Sequence, residues 1–152
     1  MQSRREMLST STTLAALMVS VGLLPTAAQA NWSKEAFEAK TLADAAKGLG
    51  GGAPVASKDV TITGPDIAEN GAVVPVGAST SLPGVKRLAL MVEKNPNALA
   101  AVFDVTDAID ANVSTRVKMG QSSNVFAVAI MNDGKVLYAQ KEIKVTLGGC
   151  GG

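Results

Sequence analysis

From Asp59 onward, apolar residues fall at every second position in short runs separated by turn residues. A period of two puts alternate side chains on opposite faces of a pleated strand. Val60 and Ile62 alternate with polar neighbours, and Leu88, Leu90 and Val92 share a face within 86–92. Leu99, Ala101, Phe103 and Val105 repeat the pattern after Asn95-Pro96. Val113, Thr115, Val117 and Met119 alternate with Ser114, Arg116 and Lys118. In the last run Leu137, Ile143, Val145 and Leu147 are set to face inward, opposite Glu142, Lys144 and Thr146. Two runs depart from simple alternation. Residues 72–76 follow an Asn70-Gly71 turn, and Pro75, which has no N–H, marks an edge or bulged strand. Residues 125–131 are apolar on both faces, as a central or interface-covered strand requires. Asp133-Gly134 predicts a two-residue hairpin into the last strand. About seven strands at this spacing predict a mainly β chain, an immunoglobulin-like β-sandwich over 53–147 with no internal repeat.

Ahead of the strands the period lengthens. Residues 31–47 predict an N-terminal helix, capped by Ser33 with Glu35 in its first turn. Phe37, Thr41 and Ala45 form one stripe, with Leu42 and Ala46 beside it. Gly48 ends the helix, and Gly50-Gly51-Gly52-Ala53-Pro54 reads as a loose linker, so helix and linker occupy 31–52. Whether that helix packs on its own sheet or on a partner is open at this stage.

Residues 1–30 read as a cleavable export signal and are set aside from the fold. Arg4-Arg5 gives a twin-arginine start, an apolar run occupies 14–24, Pro25 breaks it, and Ala28-Gln29-Ala30 supplies the small-x-small cleavage pattern. The run falls short of the roughly 20 apolar residues that span a bilayer. The twin arginines predict export of the folded protein to the periplasm, with Asn31 as the mature start.

Composition narrows the function. The chain has 14 Lys and Arg, 13 Asp and Glu, and no His. Removing Arg4, Arg5 and Glu6 with the leader leaves no net charge, which suggests neither nucleic acid nor an anionic membrane as partner. With no histidine and one cysteine the chain cannot build an ordinary transition-metal site, so neither metal nor cofactor is expected. Folded export then needs another reason, such as a companion subunit that crosses while bound. Asp104, Asp107 and Asp110 cluster near a turn, where a solvated acidic loop is expected and weak calcium binding is the other reading.

The one cysteine, Cys150, lies between Gly148-Gly149 and Gly151-Gly152. Such a thiol has no disulfide partner in its own chain, and in an oxidising compartment it implies reactivity or an intermolecular link. The glycines leave the backbone free and place no Cβ beside the sulfur, so 148–152 suits an arm that delivers a thiol into a narrow pocket. From about Val145 five residues reach at most ~17 Å. A free thiol has a pKa near ~8.5, and no His or cation stands in the arm to lower it. No carboxylate pair or Ser/His arrangement supplies a catalytic residue. The chain is expected to carry, and others to catalyse.

The run from Lys141 to Gly152, ending Leu147-Gly148-Gly149-Cys150-Gly151-Gly152, resembles the C-terminus of the SoxY family, carrier subunits of the periplasmic thiosulfate-oxidising Sox system. Ile67-Ala68-Glu69-Asn70-Gly71-Ala72-Val73-Val74-Pro75-Val76 is similar to an internal stretch of that family. The resemblance implies that Cys150 holds sulfur intermediates covalently. It also implies a SoxZ-type companion subunit in a heterodimer and a c-type cytochrome complex that conjugates thiosulfate. A manganese-dependent hydrolase that releases sulfate and, in some organisms, a molybdenum–haem sulfane dehydrogenase complete the implied set. Two other classes stand beside it. A ubiquitin-like Gly-Gly carrier loads sulfur at its terminal carboxylate, which needs ATP that the periplasm lacks. A non-catalytic interaction module would instead use the tail for a lasting disulfide.

Overall fold

The structure is a computed structural model that describes residues 33–147. The predicted leader, 1–30, and the predicted arm, 148–152, lie outside the described residues.

Among the described residues two short helices come first, α1 (Lys34–Glu38) and α2 (Leu42–Gly48), where the sequence predicted one. The side chain of Ser33 caps α1 by accepting from the Ala36 amide. Ala39 is extended, with ψ at 139°, and Thr41 caps α2 by accepting from the Asp44 amide at 3.1 Å. Thr41 is therefore a cap and not part of an apolar stripe; satisfying α2's first amides outweighs continuing one helix. The end of α2 is equally defined. Gly50, at φ +80°, donates to the Lys47 carbonyl and Gly51 to that of Ala46 at 2.8 Å. This is the glycine-dependent Schellman closure. The glycine run is thus no loose linker: Gly52 also donates to the Gly134 carbonyl, and a Cβ on Gly51 would collide with Val136.

Nine strands follow: β1 (Pro54–Ala56), β2 (Val60–Thr63), β3 (Ile67–Asn70), β4 (Val74–Thr80), β5 (Val85–Val92), β6 (Leu99–Asp104), β7 (Asn112–Val117), β8 (Ser123–Met131) and β9 (Val136–Leu147). One sheet has the order β1-β9-β8-β5-β6, with β3 also on β9, and the other β2-β4-β7. They form the predicted immunoglobulin-like sandwich, with two more strands than the pattern counted because β1 and β3 are short parallel additions to β9. Among the described residues no helix is long and apolar enough to cross a membrane.

Between the sheets, Val74, Val76 and Met119 meet Leu88, Leu90, Val125 and Ile143 in a buried core. The opposite face of the larger sheet carries Ala89, Met91, Phe126, Val128 and Ile130, and the helices cover it with Ala36, Ala45, Ala46 and Leu49. The doubly apolar run at 125–131 is accounted for within the chain: β8 is central, one face on the sandwich core and the other under α1 and α2. The helices therefore pack on their own sheet. Phe126 and Tyr138 add an edge-to-face ring contact on this side, with centroids 5.8 Å apart.

Three local expectations change. A register shift between Leu90 and Met91 places Leu99 and Val102 toward the helices but Phe103 and Val105 toward the sandwich, so the four residues of that run do not share a face. The turn after β8 bends with positive φ at Gly134 alone (+85°), and Met131 donates to the Lys135 carbonyl around a three-residue loop. A two-residue type I′ turn would need positive φ at both central positions. Pro75 lies on β4, the middle strand of its sheet, but beyond the last β2 pair, Thr63↔Gly77, where β4 has only β7 beside it. It is an edge position locally, as a residue without an N–H prefers.

Candidate functional site: the root of the C-terminal arm

The site is the end of β9. Its last register pair with β8 is Ser123↔Ile143, so residues 144–147 run beyond β8. On the other edge β3 takes them in parallel, with Ile67↔Lys144, Ala68↔Val145 and Asn70↔Leu147. A strand end with its backbone groups unpaired would fray, and specific partners hold this one. Lys144 donates its amide to the Asp66 carbonyl at 3.0 Å. The Val145 amide, past the reach of β8, donates to Oγ of Ser122 at 2.9 Å. Thr146 donates its hydroxyl to the Glu69 carbonyl at 3.1 Å.

Leu147 is held from the Asn70-Gly71 turn. The Gly71 amide donates to the Leu147 carbonyl at 2.8 Å, and the Gly71 carbonyl accepts from the Met119 amide at 2.7 Å. Asn70 shapes the turn by accepting the Ala72 amide on Oδ1 at 2.9 Å, the side-chain-to-backbone bond for which asparagine is favoured in turns. Farther back, Lys141 bridges the edge strand, donating Nζ to the Gly64 carbonyl at 2.6 Å and pairing with Asp66 at 2.9 Å. Lys141 is half-buried and Asp66 exposed, so the bond to the carbonyl contributes more to placing the loop than the ion pair does.

The inward set predicted for β9 holds only in part. Ile143 is fully buried, and Leu137 and Val145 pack partly on the core, but Leu147 is 70% exposed. The alternation thus continues one step past Val145, the last residue of the set to pack on the core. Ile67 and Val73, near the same root, are also exposed, which leaves apolar side chains around the point of exit.

Cys150, Gly148, Gly149, Gly151 and Gly152 lie outside the described residues. The structure does place the motif that includes Asn70 and Gly71 against the strand that leads to them. Sequence reading treated these as two separate stretches and missed Ser122, Thr146 and the Asn70-Gly71 turn as root contacts. The turn itself was legible, but its partner was not, because 77 residues separate Glu69 from Thr146.

The acidic residues 104, 107 and 110 do not converge. Asp104 pairs with Arg87 at 2.7 Å, and Asp107 and Asp110 line an open groove of about 760 Å³ beside Thr80 and Val85, near the opposite end of β8 from the root. Among the described residues no group of three or more acidic or thiol side chains is placed to hold a metal ion.

Residues 45–150 match the family described as sulfur oxidation protein SoxY. The chain belongs to the SoxY family. Among solved structures it is similar to the sulfur carrier protein SoxY from Chlorobium limicola f thiosulfatophilum, at 36% identity and a TM-score of 0.56, over 62% of this chain and 84% of that one. It is also similar to superoxide reductase (neelaredoxin) from Ignicoccus hospitalis, at 20% identity and a TM-score of 0.51, over 57% of this chain and 79% of that one. The second likeness is one of fold alone. Comparison with curated proteins gave no match. SoxY membership makes this a protein of sulfur oxidation with a carrier's role, and it agrees with a sequence that offers a thiol but no base to activate it.

Proposed function

We propose that this SoxY chain holds intermediates of thiosulfate oxidation covalently on Cys150 and presents them to enzymes that do the chemistry. One observation carries the reading: the family match runs through Cys150, the single thiol of the chain. The geometry supports it, because the strand leading to the glycine-flanked cysteine is held by β3 up to Leu147 and by Ser122 on its other edge at Val145. A firm root with a glycine-rich continuation delivers a group without letting the carrier's body obstruct the pocket.

Loading joins the Cys150 sulfur to the outer sulfur of thiosulfate. The thiol proton and two electrons leave, the electrons to a c-type cytochrome complex, and a cysteine S-thiosulfonate remains. Hydrolysis by a manganese-dependent partner cleaves the bond between the outer sulfur and the sulfonate. Water supplies the oxygen of the departing sulfate, and a persulfide stays on Cys150. Where a molybdenum–haem dehydrogenase is present, it oxidises that sulfane sulfur. The carrier itself supplies no catalytic residue. The leader features support a periplasmic location after twin-arginine export, and the family supports a SoxZ-type companion subunit. The apolar strand β8 no longer argues for that companion, since α1 and α2 cover its outer face.

The test is mass spectrometry of the protein purified from cells grown on thiosulfate, intact and after proteolysis. Sulfur adducts on the Cys150 peptide, absent in Cys150→Ser, are expected. Sulfur on the Gly152 carboxylate would assign the chain to Gly-Gly carriers instead. A lasting intermolecular disulfide with no small adduct would make it an interaction module.

A further inference from the structure

The Leu147 carbonyl belongs to the peptide plane through which the chain continues, and peptide planes are rigid. Fixing that oxygen therefore fixes the direction in which the chain leaves the sandwich. The Gly71 amide does this at 2.8 Å, while the Gly71 carbonyl is itself anchored by the Met119 amide at 2.7 Å. Asn70 holds the turn in shape through Oδ1 and the Ala72 amide. Cys150 follows Leu147 by three residues, which reach at most ~10 Å. The direction of the Leu147 peptide group is the last constraint that the described residues place on that span, and every residue added to the arm would dilute it.

We propose that the Asn70-Gly71 turn is a positioning element that aims Cys150, with Asn70 as the residue that sets it. This rests on the carrier reading above. Asn70 acts through Gly71 on the peptide group of Leu147. Its effect falls on productive encounters with partner enzymes and leaves the intrinsic reactivity of the thiol alone.

The test compares Asn70→Ala, which removes the side-chain acceptor, with Asn70→Asp, which keeps one, each in the full chain with the normal arm and with a Gly-Ser-Gly-Ser insertion after Leu147. By hydrogen exchange, the Gly71 amide should open about five-fold more readily in Asn70→Ala, the equivalent of one hydrogen bond of ~1 kcal/mol, and as in wild type in Asn70→Asp. With the normal arm, enzymatic loading of Asn70→Ala should fall about ten-fold in kcat/KM for the carrier, while alkylation of Cys150 by iodoacetamide proceeds at the wild-type rate. In the lengthened arm Asn70→Ala should cost no further activity. A residue with a merely structural role would cost the same in both arms, and that result would overturn the proposal. Unchanged Gly71 exchange in Asn70→Ala would overturn it too, independently of any sulfur chemistry. If wild type itself takes no sulfur at Cys150, the carrier reading fails, and the exchange result still decides whether the turn holds the root.

Discussion

The hydroxyl of Ser122 stands in for a strand at Val145. It accepts the Val145 amide at 2.9 Å, one residue before β8 begins and two residues past the last β8–β9 pair. A single side chain thus extends the grip of β8 along the outgoing strand while β3 secures the other edge. The arrangement holds the outgoing strand on both edges at Val145.

Ser122→Ala should therefore loosen the root selectively. The Val145 amide is part-buried and loses its acceptor, a loss of about 0.5–1.5 kcal/mol for an ordinary hydrogen bond. Hydrogen exchange should show Val145 exchanging several-fold faster while amides of the β5–β8 centre keep their protection. Uniform acceleration across the sandwich would mean that Ser122 supports the whole fold and not the root in particular.

The helical cover depends on a close approach. A Cβ on Gly48 would stand 2.8 Å from both the Cα and the amide nitrogen of Ala36, so α2 can lie against α1 only with glycine there. Gly48→Ala improves helix propensity by up to ~1 kcal/mol, but the clash falls on backbone that cannot swing aside. A net loss of about 1–2 kcal/mol is expected, read as a lower urea midpoint. Dye binding should rise as well, because displaced helices expose Phe126, Val128 and Ile130. A gain in stability would show that the two helices adjust freely.

These elements mark what a sequence alone discloses. The doubly apolar 125–131 run announced a central or interface-covered strand, and the pattern itself cannot say what covers each face. Thr41 fits a helical stripe by spacing and a cap by chemistry, and only its bond to the Asp44 amide decides between them. The shift at Leu90/Met91 reverses the facing of the residues that follow, which no pattern of hydrophobicity records. The pairing of β3 with β9 is parallel and distant, without a connecting turn to signal it. Cys150 stood out in the sequence for the opposite reason: it is the single cysteine of the chain and lies between two glycine pairs.

Cys150→Ser should abolish covalent sulfur loading and leave the sandwich intact. Cys150 follows the last described strand by three residues in sequence, and the change only exchanges sulfur for oxygen, so unfolding stability in urea should match wild type within about 0.5 kcal/mol. Intact mass after incubation with thiosulfate and the loading enzymes checks the first expectation. An adduct persisting on the serine variant would move the carrier site elsewhere.

The glycines beside Cys150 separate pocket entry from simple tethering. Gly149→Val or Gly151→Val adds branched bulk next to the sulfur and narrows the backbone angles the arm can adopt. Stability should change by less than ~0.5 kcal/mol, since these positions follow the last strand. Turnover with the loading and hydrolysing enzymes should fall ten-fold or more, because a displacement of about 1 Å can cost ~10²-fold in rate. Alkylation by iodoacetamide needs no pocket and should stay near the wild-type rate. The contrast between the two rates is the informative quantity. If both fall together, the valines shield the thiol from any reagent; if neither falls, the arm is a loose tether and the receiving pockets are wide. Only a loss confined to the enzymes identifies glycine as the condition for entering a narrow site.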